Sequence, residues 1–251
     1  MIDLKGDTVV ITGGNGGIGL GIATGVARAG ANVAIWARNQ AKTDTAIAKL
    51  AEFGTEVAGF TCDVANEESV AAAMAKTVDR FGEIHAGFAN AGFGAMQDPL
   101  KMTLADWRAV TSVNLDGVFV TLRDLAKQMI AQETGGRLVA ISSMVENFGS
   151  PLQPHYAASK GGVGALVRSF AVRFAKYDIQ VNSLEPGWIV TDATRRATEN
   201  ERFHDLIEKR TPARRWGEIS DLEGISAYLA SREARFHTGD SIRVDGGYAV
   251  F

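Results

Sequence analysis

The sequence predicts an α/β protein, one domain built on a seven-stranded, mostly parallel, doubly wound sheet with helices on both faces. Three observations lead there. Short β-branched runs alternate with longer Ala-rich amphipathic stretches along the whole chain, and such alternation implies a parallel sheet joined by right-handed crossovers. Strand candidates such as TVVIT and RLVAIS are apolar almost throughout, as expected when both faces of a sheet are covered. No linker, low-complexity tract or internal repeat divides the 251 residues, so residues 1–251 read as a single domain.

In chain order, strands are predicted near Thr8–Thr12, Asn32–Ala37, Glu56–Thr61, Ile84–Ala89, Gly136–Ser142, Asp178–Leu184 and Ser241–Asp245. Helices are predicted between them, near Gly17–Ala29, Gln40–Phe53, Glu67–Phe81, Leu104–Ala131, Pro154–Lys176 and Asp221–Ser231. One stretch breaks the rhythm. Trp188–Trp216 is polar, rich in Arg and Glu, and has a weak helical pattern around Glu201–Lys209. An insertion of this length reads as a lid, at about residues 188–216.

Composition narrows the function classes. With 46% hydrophobic and 22% charged residues, this is an ordinary globular chain, not a disordered one. The net charge of −3 and the lack of any Lys/Arg-rich run give nucleic acid and anionic membranes nothing to bind. No window offers the ~20 continuous apolar residues of a membrane span. The opening MIDLKGDTVVITGG has two acids before any apolar stretch and does not read as a signal peptide. The single cysteine, Cys62, reads as a small buried residue at a strand end. A cytoplasmic location is expected.

The first strand runs through Thr12-Gly13-Gly14-Asn15-Gly16-Gly17-Ile18-Gly19 directly into a helix. Glycines there permit a tight turn, let the backbone approach a pyrophosphate and allow close helix–strand packing, while the helix N-terminus offers unpaired N–H groups to phosphates. Two spacings coexist: Gly14, Gly16 and Gly19 fit G-x-G-x-x-G, and Gly13, Gly17 and Gly19 fit T-G-x-x-x-G-x-G. The strand–turn–helix context makes this a Rossmann-type dinucleotide site. The second strand ends on Ala37 and Arg38, without the acid that binds the ribose 2′-hydroxyl of NAD. A guanidinium can pair with a 2′-phosphate, so NADP(H) is favoured and NAD(H) stays open; the alternative is an Arg38 that only opens a loop.

Near mid-chain lies Tyr156-Ala-Ala-Ser-Lys160, whose (i, i+4) spacing puts both side chains on one helix face. A phenol of pKa about 10 is a poor proton shuttle at neutral pH, and a nearby ammonium favours the phenolate. The pair therefore makes chemical sense as a general acid/base.

With these motifs the sequence resembles the short-chain dehydrogenase/reductase family over essentially its whole length. The residues that carry the resemblance occur in the family's order: the Thr12–Gly19 turn, Asp63-Val64, Asn90-Ala91-Gly92, Asn114, Ser142-Ser143, Tyr156 with Lys160, and Pro186-Gly187 leading to Ile189 and Thr191. The resemblance implies an enzyme moving a hydride between NAD(P)(H) and a ketone or secondary alcohol, with no metal. It implies Ser143, 13 residues before Tyr156, as the catalytic serine that stabilises the developing alkoxide, with Ser142 as runner-up. It implies Tyr156 as the proton donor or acceptor. Lys160 would lower the tyrosine pKa and bind the nicotinamide ribose, and Asn114 would hold a water relay to Lys160 through a distortion of the preceding helix. More loosely it implies that Asp63 and Val64 meet the adenine, Asn90, Ala91 and Gly92 support the cofactor, and Ile189 and Thr191 bind the carboxamide. For Asp63 and Asn90, turn chemistry is the competing reading.

Substrate specificity is expected in Phe93–Leu100, Met144–His155 and the lid, at the carboxyl ends of the strands. Arg195, Arg196, Arg214 and Arg215 could clamp an anionic substrate or face solvent. Glu185, where relatives carry a small or neutral residue, is open between substrate, a neighbouring subunit and a lid arginine. The motifs look most like the sugar-acid dehydrogenase and 3-oxoacyl reductase branches. The small-molecule substrate is thus read as polar and sugar-acid or hydroxy-acid like, with a 3-oxoacyl thioester as the alternative. An idle NAD(P)-binding regulator is a third reading, against which the intact Asn114, Ser143, Tyr156 and Lys160 argue. The C-terminal Thr238–Asp240 and Asp245–Gly247 and the apolar tail Tyr248–Phe251 lead to an expected homotetramer, with a dimer as runner-up.

Overall fold

The computed structural model describes residues 2–250, so Phe251, the last residue of the apolar tail, lies outside the described residues. Seven strands, β1 (Thr8–Thr12), β2 (Asn32–Ala37), β3 (Val57–Thr61), β4 (Ala86–Ala89), β5 (Gly136–Ile141), β6 (Ile179–Pro186) and β7 (Ser241–Val244), form one sheet in the order β3-β2-β1-β4-β5-β6-β7. Every neighbouring pair is parallel. The helices are α1 (Gly17–Arg28), α2 (Gln40–Ala51), α3 (Glu67–Phe81), α4 (Leu104–Thr111), α5 (Gly117–Gln132), α6 (Pro154–Phe174), α7 (Arg195–Thr198), α8 (Glu201–Arg210) and α9 (Glu223–Ala230).

Strand alternation sorts the core into two layers. Along β1, Val10 packs with Trp36, Leu122, Leu125, Met129 and Val163 on one face. Val9 and Ile11 pack with Ile22, Val26, Leu50 and Leu222 on the other. Both faces are therefore covered, which is why the strands lack polar alternation. Local chemistry sets the helix starts. Asn66 accepts from the Ser69 amide at 2.9 Å ahead of α3, Thr103 and Asp106 form a capping box on α4, and Pro154 opens α6.

The chain departs from the predicted elements most between Leu104 and Ala131. The continuous helix expected there is interrupted by one wide turn, Ser112–Asp116, in which the Gly117 amide donates to the Ser112 carbonyl five residues back. Asn114 lies within this turn, not after it. β6 also runs two residues past the expected Leu184, because Glu185 and Pro186 pair with Arg243 and Val244 of β7. Cys62, just past β3, is buried and its thiol is pushed up to about 11 by that burial, so it is inert at neutral pH.

Successive strands go outward from β1 to β3, and the chain then returns to lay β4 on the other side of β1. At such a reversal the flanking loops part and leave a crevice at the carboxyl ends of the strands. The loops after β1, β4, β5 and β6 meet there.

Candidate active site

The glycine turn is held by a threonine and an asparagine. Thr12 Oγ1 accepts from the Asn90 and Ala91 amides, both at 2.9 Å, and Asn90 Nδ2 donates back to the Thr12 carbonyl at 2.9 Å. Asn15 ties the far side of the turn to the loop after β2, donating to the Asn39 carbonyl and to Thr43 Oγ1. The two glycine spacings are now distinguishable. Gly13 and Gly17 have φ of +65° and +51°, and a side chain on Gly19 would overlap the Gly13 carbonyl and the Asn90 amide. Glycine is thus demanded at positions 13, 17 and 19. A Cβ on Gly16 would meet nothing within 4 Å, and Gly16 caps α1 without any side-chain hydrogen bond. The first amides of α1 are left for an anion, so the turn fits a dinucleotide pyrophosphate. Ile18 is partly buried in the first turn of α1.

Arg38 is exposed at the end of β2. Asp63 spends one carboxylate oxygen on its own turn, accepting from the Ala65 amide at 3.1 Å. Val64 is buried against Gly117 at the start of α5. Gly92 leaves room for Asn114, whose side chain grips the backbone of Phe93: Oδ1 accepts from the Phe93 amide at 2.9 Å and Nδ2 donates to its carbonyl at 2.7 Å. The wide turn and the loop after β4 are therefore one unit.

On α6, Tyr156 and Lys160 lie a turn apart, with Nζ 5.5 Å from the centre of the phenol ring. Lys160 is buried and donates to the Ile141 carbonyl at the end of β5, 2.5 Å away. Burial pushes its pKa down to about 8, against the pull of the Glu146 carboxylate. The phenol of Tyr156 moves the opposite way to that expected. Burial raises its pKa and the adjacent Ser143 hydroxyl lowers it, with the first prevailing. Lys160 does not reverse this, because its ammonium faces the ring and the Ile141 carbonyl. The adjacent serines are separated as alternation requires. Ser143 stands beside Tyr156, whereas Ser142 is buried and donates to Glu146 at 2.6 Å.

The segment after β6 runs from Gly187, whose amide donates to the Val244 carbonyl, through buried Ile189 to Thr191. Thr191 passes over the turn, 3.5 Å from where a Cβ of Gly17 would be. Lys42 of α2 reaches across to Asp192 at 3.3 Å, and Arg195 pairs with the same carboxylate. Of the other arginines here, Arg214 donates to the Lys209 carbonyl and Arg215 pairs with Asp221 through both its NH groups; Arg196 is exposed. The segment is anchored by aromatic rings, with Trp188 edge-on to Phe203 and Trp216 at centroid distances of 5.2 and 5.5 Å. A cleft of about 250 Å³ opens beneath it between Trp188, Ile189, Thr211, Arg215 and Asp245. None of Ser143, Tyr156 and Lys160 lines that cleft. The sequence leaves Glu185 open among three partners and places Glu146 in the Met144–His155 segment expected to face substrate. The structure buries Glu185 against Arg243 at 3.1 Å and Asn147 at 3.5 Å, and leaves the Glu146 side chain 10% exposed. Their burial has no signature in a single sequence.

A family model described as Enoyl-(Acyl carrier protein) reductase matches residues 13–249. The chain belongs to the short-chain dehydrogenase/reductase family. As a member it is an oxidoreductase, and its relatives are matched end to end. It is 34% identical over 249 residues to a 2-dehydro-3-deoxy-D-gluconate 5-dehydrogenase of Formosa agariphila, covering 98% of this chain and 94% of the relative. It is 31% identical to an L-rhamnose 1-dehydrogenase (NADP(+)) of Thermoplasma acidophilum, covering 100% and 99%. Among solved structures, a gluconate 5-dehydrogenase from Burkholderia cenocepacia in complex with NADP and tartrate superposes with a TM-score of 0.94 at 36% identity, covering 100% of this chain and 98% of that one. No helix among the described residues of this short-chain dehydrogenase/reductase is long and apolar enough to cross a membrane.

Proposed function

We propose that this enzyme interconverts a secondary alcohol and a ketone on a sugar acid or similar hydroxy acid, with NADP(H) as cofactor. The observation that carries the reading is the union of Ser143, Tyr156 and Lys160 at the strand ends beside an uncapped glycine turn. The gluconate and rhamnose dehydrogenases among the relatives support the substrate class, and the NADP of one solved relative supports the cofactor. Arg38, exposed where a ribose 2′-phosphate would lie, supports the same cofactor.

The residues divide the work as follows. A bound nicotinamide dinucleotide would supply the hydride acceptor or donor; the Gly13–Gly19 turn, Arg38, Asp63, Val64, Asn90–Gly92, Pro186–Gly187, Ile189 and Thr191 would hold it. In reduction, the Tyr156 phenol donates its proton to the carbonyl oxygen as charge builds there, and in oxidation the phenolate accepts the hydroxyl proton. A phenol kept protonated by burial suits the first direction without further adjustment. Ser143 Oγ hydrogen-bonds the same substrate oxygen and stabilises the alkoxide. Lys160, its pKa lowered by burial to about 8, stands over the phenol ring and would bind the nicotinamide ribose. Asn114, fixed on Phe93, holds the wide turn open toward Lys160.

Trp188–Trp216 acts as a lid; with Arg195 and Arg215 held by Asp192 and Asp221, exposed Arg196 on its first helix is the arginine that favours an anion. A second reading, a 3-oxoacyl thioester reductase, draws on Phe93, Met96, Leu100, Phe148 and Leu152, apolar side chains exposed on the loops after β4 and β5. The expected assembly is a homotetramer, supported by exposed Phe119 and Val172 on α5 and α6. A cytoplasmic location goes with a soluble dinucleotide substrate.

Steady-state rates with NADP(H) and NAD(H) across D-gluconate, other sugar acids, 3-oxoacyl thioesters and neutral cyclic ketones test the proposal. Sugar acids with NADP(H) should give the highest kcat/KM. A neutral ketone or a thioester that outperforms every sugar acid refutes the substrate class.

A further inference from the structure

Glu146 stands three residues beyond Ser143, in a segment expected to face substrate, yet the structure turns it inward. Its side chain is only 10% exposed. One carboxylate oxygen accepts from Ser142 Oγ at 2.6 Å, and that hydroxyl also lies 3.4 Å from the backbone carbonyl of Lys160. The other oxygen rests on α6 at Gly164, one turn beyond Lys160, where any Cβ would overlap it. A glycine in mid-helix costs about 1 kcal/mol relative to alanine, and here the missing side chain makes room for a carboxylate.

We propose that Glu146 is a positioning residue for the reaction: through Ser142 its carboxylate ties the end of β5 to α6 and places a negative charge at the turn of α6 that carries Lys160. The proposal rests on the reading of those three residues as the catalytic centre. The charged groups around Glu146 are few. Lys160 and Arg168 face it from α6, with Arg168 3.9 Å away; Glu185 of β6 faces it from the sheet, itself paired with Arg243 of β7. Burial and the nearby Glu146 charge both push the Glu185 carboxyl up, while Arg243 and Asn147 hold it down. Arg168 is largely exposed and at the limit of ion-pair distance, so solvent blunts its effect on Glu146. Glu146 is the one acid that burial leaves to oppose the desolvation of Lys160.

The test measures Lys160 itself. In the full-length enzyme labelled with 13Cε-lysine, the Lys160 signal is identified by its loss in Lys160→Met and followed through pH. Glu146→Gln keeps the shape, still accepts from Ser142 and still fits over Gly164, but carries no charge. The Lys160 midpoint should fall by about one pH unit, a tenfold change in its protonation equilibrium. Glu146→Asp keeps the charge at a shorter reach and should lower the midpoint by less; it also preserves the test if the glutamine variant does not fold. An unchanged midpoint in a folded variant overturns the proposal, leaving Glu146 a packing residue. Tyr156→Phe separates this from the wider reading, because a phenylalanine variant with normal turnover refutes the catalytic centre whatever Lys160 does.

Discussion

Replacing Lys160 by methionine should abolish turnover while making the enzyme less dependent on pH for its stability. The ammonium is buried, and burial lowers its pKa from 10.5 to about 8. A lysine that binds its proton less tightly in the folded state than in the unfolded one costs stability below the folded pKa, and the cost is relieved as pH rises toward the unfolded value. At 1.36 kcal/mol per pH unit, the drop from 10.5 to about 8 corresponds to about 3 kcal/mol withheld at low pH. Most of it, about 2–3 kcal/mol, should return between pH 7 and pH 10. Methionine has similar volume and no charge. It also loses the hydrogen bond to the Ile141 carbonyl, a term of about 1 kcal/mol that does not vary with pH. The quantity to measure is therefore the change with pH in the stability gap between the two proteins, from urea unfolding at pH 7 and pH 10. Wild type should gain about 2–3 kcal/mol on the variant over that interval. A gap that stays constant, or one that moves toward the variant, refutes the argument that Lys160 is held by desolvation.

Two further outcomes follow from the cofactor side. Arg38→Asp should reverse the preference between NADPH and NADH in calorimetric titrations, because it adds repulsion to a 2′-phosphate as well as removing attraction; equal affinities in the wild type would make Arg38 a solvated loop residue. Gly19→Ala should cost roughly 1–3 kcal/mol in unfolding experiments, since its methyl meets the Gly13 carbonyl and Asn90 amide and not a yielding side chain. It should also weaken NADPH binding at least tenfold, and a variant of normal affinity would mean that the turn does not hold the phosphates.

The sheet was legible because burial on both faces forces apolar strands, and these are interrupted by helices long enough to show their own period. The glycine turn and the Tyr156–Lys160 pair were legible because each needs particular residues at fixed spacing. The wide turn at Ser112–Asp116 was implied only by the family resemblance, as a distortion for Asn114; periodicity missed it, because Val113, Leu115 and Val118 continue an apolar pattern that fits an unbroken helix. What marks the break is the grip of Asn114 on Phe93, a contact across 21 residues of chain. The direction of the Tyr156 shift was misjudged for a related reason. Spacing puts an ammonium near a phenol, but only the packed structure reveals that Lys160 is buried, that Tyr156 is partly buried and that the ammonium is turned to a carbonyl. Glu146 and Glu185 look like surface acids until α6, β6 and β7 close over them.

The wide turn between α4 and α5 also acts as a gear between two helices that would otherwise share one phase. An α-helix advances about 100° per residue, so a turn that takes in one extra residue offsets everything after it by roughly that angle. Ahead of the turn, α4 buries only Val110 and contacts α6. After it, α5 presents Val118, Leu122, Leu125 and Met129 to the sheet. One continuous helix could not aim its apolar stripe at both neighbours. Winding 112–116 regularly at unchanged length would swing Leu122 and Leu125 off the sheet by that angle, whereas deleting one residue would keep their facing and remove only the wide turn that holds Asn114.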